Sequence, residues 1–165
     1  MQIFNKNSEK WDRRFLELAK LVASWSKDPS TQTGAVIARL DKSVCSVGFN
    51  GFPQKMYDWE SSYNDREEKL SRIVHCEVNA LLFAKEPVTG YTLYTWPFAS
   101  CDRCAVIMIQ AGITRFVYPE LPESLRKRWE ESILRTEQYF KECDVDFLAI
   151  RENGVRTVFS HGGNV

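Results

Sequence analysis

The feature that most restricts the fold of this chain is a set of four demanding side chains split between two short motifs, His75-Cys76-Glu77 and Cys101-Asp102-Arg103-Cys104. A β-rich run, Tyr91 to Trp96, lies between them, so a fold that unites the motifs must set the starts of two separate elements side by side. Two thiolates and one imidazole are the donor set of a zinc site with three protein ligands, which leaves a fourth position open for water. Zinc lowers the pKa of that water from about 15.7 toward about 7, which supplies a nucleophile at neutral pH. Glu77 is read as a carboxylate that moves protons beside the metal and does not bind it. A structural zinc site takes four protein ligands, whereas the close candidates here are His75, Cys101 and Cys104 plus this carboxylate.

Local sequence places both motifs at helix starts. A helix is predicted from near His75 to about Lys85. A second is predicted from Cys101 to Ala111, with Ser100 as its N-cap, Gly112 as its C-terminal stop and a surface apolar enough to be buried. Helix N-termini carry partial positive charge, which favours thiolates. Cys101 and Cys104 are three residues apart and share one face of a first turn. His75 and Glu77 are about 200° apart around a helix, so they converge only by leaning over its end. Plainer readings exist. Glu77 fits the acidic preference of a first helical turn, and His75 alone would be an ordinary polar residue. Cys-x-x-Cys between a strand and a helix also fits a dithiol redox site. Cys45, Cys76 and Cys143 are read as small buried hydrophobes.

The rest of the chain supplies a frame. Trp11, Phe15, Leu18, Ala19, Val22 and Trp25 recur at helical spacing over about residues 8–26, up to Asp28-Pro29. Gly34 to Leu40 and Val44 to Phe49 read as a hairpin. Residues 50–63 read as a loop carrying the exposed aromatics Phe52, Tyr57 and Trp59. Thr114 to Tyr118 and Val145 to Ile150 read as strands around a long amphipathic helix traced by Leu125, Trp129, Ile133, Thr136, Phe140 and Cys143, with Pro122 at its start. The order α-β-β-α-β-α-β-α-β implies an α/β domain over residues 1–153, a mixed five-stranded sheet with helices on both faces. Residues 154–165 are expected to be a C-terminal tail or an oligomer arm.

Composition narrows the function classes. The 165 residues are 44% hydrophobic and 13% aromatic, enough for a core. Lys plus Arg and Asp plus Glu are 22 each, which disfavours a partner such as a nucleic acid polymer, whose affinity comes from massed positive charge. The apolar runs are too short for a membrane span, and residues 1–10 lack the apolar stretch of a signal peptide. The expected location is cytoplasmic, and an odd count of 5 Cys fits reduced thiols better than a disulfide framework.

Four stretches together resemble the cytidine/deoxycytidylate zinc deaminase family, in its deoxycytidylate (dCMP) branch. They are Ser26-Lys27-Asp28-Pro29-Ser30-Thr31-Gln32-Thr33-Gly34-Ala35-Val36-Ile37, Gly48-Phe49-Asn50-Gly51-Phe52-Pro53, His75-Cys76-Glu77-Val78-Asn79-Ala80, and Cys101-Asp102-Arg103-Cys104 followed by Ile109-Gln110-Ala111-Gly112-Ile113. The resemblance spans about residues 8–150. It implies a three-layer α/β/α fold and hydrolytic deamination of dCMP to dUMP with release of ammonia, feeding thymidylate synthesis. It implies zinc on His75, Cys101 and Cys104, and proton transfer by Glu77. It also implies that Asn50 meets the sugar hydroxyl and that the backbone N–H of Cys76 meets the pyrimidine carbonyl. Lys27 and Arg66 are the implied phosphate candidates. Asn50 also reads as a turn residue, since Asn-Gly is a turn dipeptide, and Lys27 also reads as a solvated surface charge. Relatives are commonly homohexamers regulated by dCTP and dTTP. Two departures stand out: Ser100 precedes the first Cys where the family has Pro, and Cys76 stands where Ala is usual. The alternatives are a deaminase acting on dCTP, cytidine or a base in tRNA, a non-catalytic zinc-stabilised binding module, and a dithiol redox protein.

Overall fold

A computed structural model describes residues 6–160. Among the described residues six helices and six strands follow one another as α1 (Lys6–Ala23), β1 (Gly34–Ala38), β2 (Val44–Phe49), α2 (Glu60–Asn64), α3 (Arg66–Arg72), α4 (Cys76–Phe83), β3 (Thr92–Trp96), α5 (Asp102–Ala111), β4 (Arg115–Pro119), α6 (Glu123–Glu142), β5 (Asp146–Arg151) and β6 (Gly154–Phe159). The strands form one sheet in the order β2-β1-β3-β4-β5-β6. β1 pairs antiparallel with β2 and β3, the β3-β4-β5 centre is parallel, and β6 returns antiparallel on β5.

Strand alternation builds the layers. Ala35 and Ile37 of β1 pack with Ala80 of α4, Ala105 and Met108 of α5 and Phe140 of α6 in one core. Val36 and Ala38 turn to the opposite face and pack with Phe15, Leu16 and Ala19 of α1. Successive side chains of a strand point to opposite faces, so an unbroken apolar run such as β1 serves both cores. The three-layer mixed α/β architecture therefore holds, but the sheet has six strands and not five. The extra strand comes from the expected tail. Glu152 and Asn153 form a tight two-residue turn, Gly154 follows at φ 119° opposite Arg151, and residues 154–159 pair back onto β5. Residues 161–165 of that tail lie outside the described residues.

Close backbone approach fixes the helices that carry the motifs. A Cβ at Gly48 of β2 would stand 2.3 Å from Ala80 N and 2.5 Å from Cys76 O, so only glycine lets the first turn of α4 lie against the sheet edge. Beneath α1, Asp12 is 2% exposed. It accepts a hydrogen bond from Tyr94 Oη at 2.7 Å and two from the Arg115 guanidinium at 2.8 and 2.6 Å. Two expectations need correction. α1 ends at Ala23, before Trp25. α5 is not buried all round: Val106 and Ile107 are 48% and 45% exposed, and Leu82 and Phe83 of α4 are exposed at 68% and 42%. Residues 60–72 also hold two short helices where a loop and unassigned chain were expected. Among the described residues, no helix is long and apolar enough to cross a membrane.

Candidate active site

The two motifs meet at neighbouring helix starts. His75 is the N-cap residue of α4 and Cys101 that of α5, both in extended conformation. The predicted cap, Ser100, lies one residue too early. Its side chain faces inward at 1% exposure, and its Oγ donates to Cys101 O at 3.3 Å. His75 Nδ1 is 3.6 Å from Cys101 Sγ and 3.3 Å from Cys104 Sγ. The three donor atoms all lie within 4.8 Å of one another. Zinc–sulfur bonds of about 2.3 Å and a zinc–nitrogen bond of about 2.0 Å at a tetrahedral angle demand a sulfur–nitrogen separation of about 3.5 Å. The donor spacing and chemistry therefore fit zinc.

The electrostatics favour an anionic sulfur. The Cys104 thiol donates to Cys101, and the His75 ring lies beside it, so the Cys101 thiol is pulled down to about 4. The Cys104 thiol is pushed up by that hydrogen bond and by burial. His75 is raised by its hydrogen bond to Cys101 and by the nearby Glu77 charge, against the opposing effect of burial.

Glu77 is 6% exposed and accepts a hydrogen bond from Cys76 Sγ at 3.3 Å. It faces a cavity of about 300 Å³ that His75, Cys76, Cys101 and Asn50 also line. Asn50 is not a free turn residue. Its Oδ1 accepts from Thr33 N at 2.8 Å and its Nδ2 donates to Thr31 O at 2.9 Å, which ties the loop before β1 to the cavity floor.

The structure separates the two expected phosphate cations. Arg66 lines the cavity, whereas Lys27 does not. Lys27 points to solvent and pairs with Asp58 at 2.5 Å. Two cations on the cavity wall went unread in the sequence. Lys69 is paired with Asp28 at 3.2 Å. Arg128 lies over the Trp129 ring at 5.6 Å, and that ring in turn stacks on Phe98 at 5.8 Å. Trp129 and Ile133 had been visible only as members of an apolar stripe. In the fold, that edge of α6 forms the wall facing the zinc motifs.

The family described as the cytidine and deoxycytidylate deaminase zinc-binding region matches residues 9–120. The chain belongs to this family. The uncharacterised deaminase of the luxG 3′ region of Aliivibrio fischeri is 42% identical over 137 residues, covering 83% of this chain and 91% of the relative. The probable deoxycytidylate deaminase of Drosophila melanogaster is 35% identical over 119 residues, covering 66% of this chain and 58% of the fly protein. The chain thus matches less than two thirds of the fly protein's length. The dCMP deaminase of cyanophage S-TIM5, crystallised with dCMP and dUMP, shares the fold with a TM-score of 0.63 at 20% identity, covering 79% of this chain and 92% of the phage chain. The family is a zinc-binding one. Among the described residues, His75, Cys101 and Cys104 form the group able to hold such an ion.

Proposed function

We propose that this chain is a zinc-dependent hydrolytic deaminase that converts dCMP to dUMP and ammonia. The observation that carries the reading is the buried Glu77 carboxylate in the same cavity as three converging zinc donors. A dithiol oxidoreductase does not require His75 beside both sulfurs, and a structural zinc site would close with a fourth ligand. The names of the fly and phage relatives support a deoxycytidylate substrate.

His75, Cys101 and Cys104 hold the metal. Zinc bound there supplies water at a lowered pKa, hence a hydroxide-like nucleophile at neutral pH. Glu77 moves the protons. Of the two protons of the consumed water, it delivers one to N3 of the ring, where it stays in the uracil product. It delivers the other to the exocyclic amine, which leaves C4 as ammonia. The backbone N–H of Cys76, in the first turn of α4, meets the pyrimidine carbonyl. Asn50, held by Thr31 and Thr33, meets the sugar hydroxyl. Arg66 and Arg128 take the phosphate in place of Lys27, since Lys69 is already engaged by Asp28.

We place the enzyme in the cytoplasm, where zinc-binding thiols stay reduced. The exposed apolar residues of α4 and α5 support a homo-oligomer, with the hexamer and the dCTP and dTTP effectors as the specific form. An ultraviolet assay of deoxycytidine, dCMP and dCTP, with and without these nucleotides as effectors, tests the reading. Turnover should favour dCMP, and Arg128→Ala should lower kcat/KM for dCMP by about tenfold or more while sparing deoxycytidine. Absence of turnover on every cytosine substrate by the zinc-loaded protein would refute it.

A further inference from the structure

We infer that Ser132, Arg135 and Thr136 of α6 are positioning residues that clamp the backbone on both sides of Cys101 and so set the affinity of the metal site. The inference rests on the zinc reading above. It concerns a helix outside the family match, which ends at residue 120.

Cys101 sits at a mechanically exposed point. It is the last residue of the loop after β3 and the N-cap residue of α5, with no side-chain cap hydrogen bond to fix it. α6 holds both of its neighbours. On one side, Thr136 Oγ1 donates to Ser100 O at 3.2 Å, with Thr136 at 0% and Ser100 at 1% exposure. On the other, Asp102 N donates to Ser132 Oγ at 3.1 Å, and Ser132 Oγ donates to Asp102 Oδ1 at 2.8 Å. The second carboxylate oxygen of Asp102 accepts from Arg135 Nε at 2.8 Å. Ser132, Arg135 and Thr136 stand three and four residues apart on α6, so they share one face of the helix. Two of these hydrogen bonds hold the peptide units on either side of Cys101, at Ser100 O and Asp102 N, and the other two hold the Asp102 carboxylate, so rotations that would swing Cys101 Sγ away from His75 are resisted. Residues that hold metal ligands in place typically change metal affinity by about 10- to 100-fold when lost.

The test is zinc affinity, measured on the full chain by competition with a chromophoric chelator, together with the rate of zinc loss to excess EDTA. Ser132→Ala and Arg135→Gln should each weaken zinc binding, by about tenfold or more when combined, and speed its loss. Ser132→Thr retains the hydroxyl and should restore the affinity. The melting temperature of the zinc-free variants separates positioning from packing. A lowered zinc-free melting temperature with unchanged zinc affinity would mean that these residues only join α6 to α5, and would overturn the clamp. If Ser132→Ala fails to fold, the partly exposed Arg135→Gln carries the same two measurements. Neither readout depends on turnover. A chain that binds zinc but deaminates nothing refutes the proposed reaction, whereas unchanged zinc affinity in the variants refutes the clamp.

Discussion

Replacing Glu77 by Gln isolates proton transfer from metal binding. The two side chains are nearly isosteric, and the site is 6% exposed, so packing is preserved. The carboxylate is outside the converging donor group of His75, Cys101 and Cys104, so zinc should remain. What is lost is a group able to accept and release a proton. A positioned general acid–base contributes about 10²- to 10⁴-fold, equivalent to about 3–5 kcal/mol of barrier at about 1.36 kcal/mol per tenfold. Cys76 Sγ, 3.3 Å from Glu77 Oε2, finds the amide oxygen as an alternative acceptor, so the variant keeps a hydrogen-bonded interior. The assay is steady-state deamination of dCMP alongside zinc content by atomic absorption. Full zinc content with a kcat reduced by at least 10² is expected, and KM should change little. A kcat within tenfold of the parent would remove Glu77 from the chemistry, and loss of zinc would show that it binds the metal after all.

Three further perturbations probe the site and its scaffold. Cys104→Ser should lose zinc and activity together, because one of three donors is gone; unchanged zinc stoichiometry would refute the ligand assignment. Asp12→Ala should cost about 3–5 kcal/mol in urea denaturation, since it leaves the Arg115 guanidinium without its counter-ion in a site where the carboxylate is 2% exposed; a loss below about 1 kcal/mol would refute that account. Burial raises the Tyr118 phenol to about 12. An ordinary phenol titrates near 10, so the folded chain holds this proton more tightly than the unfolded one. The resulting stabilisation is full below pH about 10 and is lost as pH rises through about 12, by about 2–3 kcal/mol. Tyr118→Phe should flatten stability against pH in that window, and an unchanged slope would contradict the assignment.

The metal motifs were readable because donor chemistry leaves few choices and because each motif opens a helix. The β1–β2 hairpin and α6 were readable from alternation and helical spacing. α2 and α3 were not: α3 buries no residue, so its sequence carries no apolar period to detect. β6 was missed although Asn153-Gly154 signals a hairpin, because the Gly-rich terminal composition argued for a tail. The cations were the least legible. Lys27 and Lys69 both lie near Asp28, but only the fold shows that Lys69 takes it as partner while Lys27 turns to Asp58. Arg128 reaches the cavity through the placement of α6, which no local pattern encodes.

His75 and Cys101 each occupy a joint in extended geometry, with ψ of 154° and 160°, just ahead of the first helical residue. Their carbonyls already accept the opening bonds of the helices, from Asn79 N and Ala105 N, each at 3.0 Å. Departure of the ion then requires only small torsional excursions at these two joints, with no helix unwound. Metal exchange and global unfolding are therefore separable events. Amide exchange in α4 and α5 should stay slow in protein stripped of zinc.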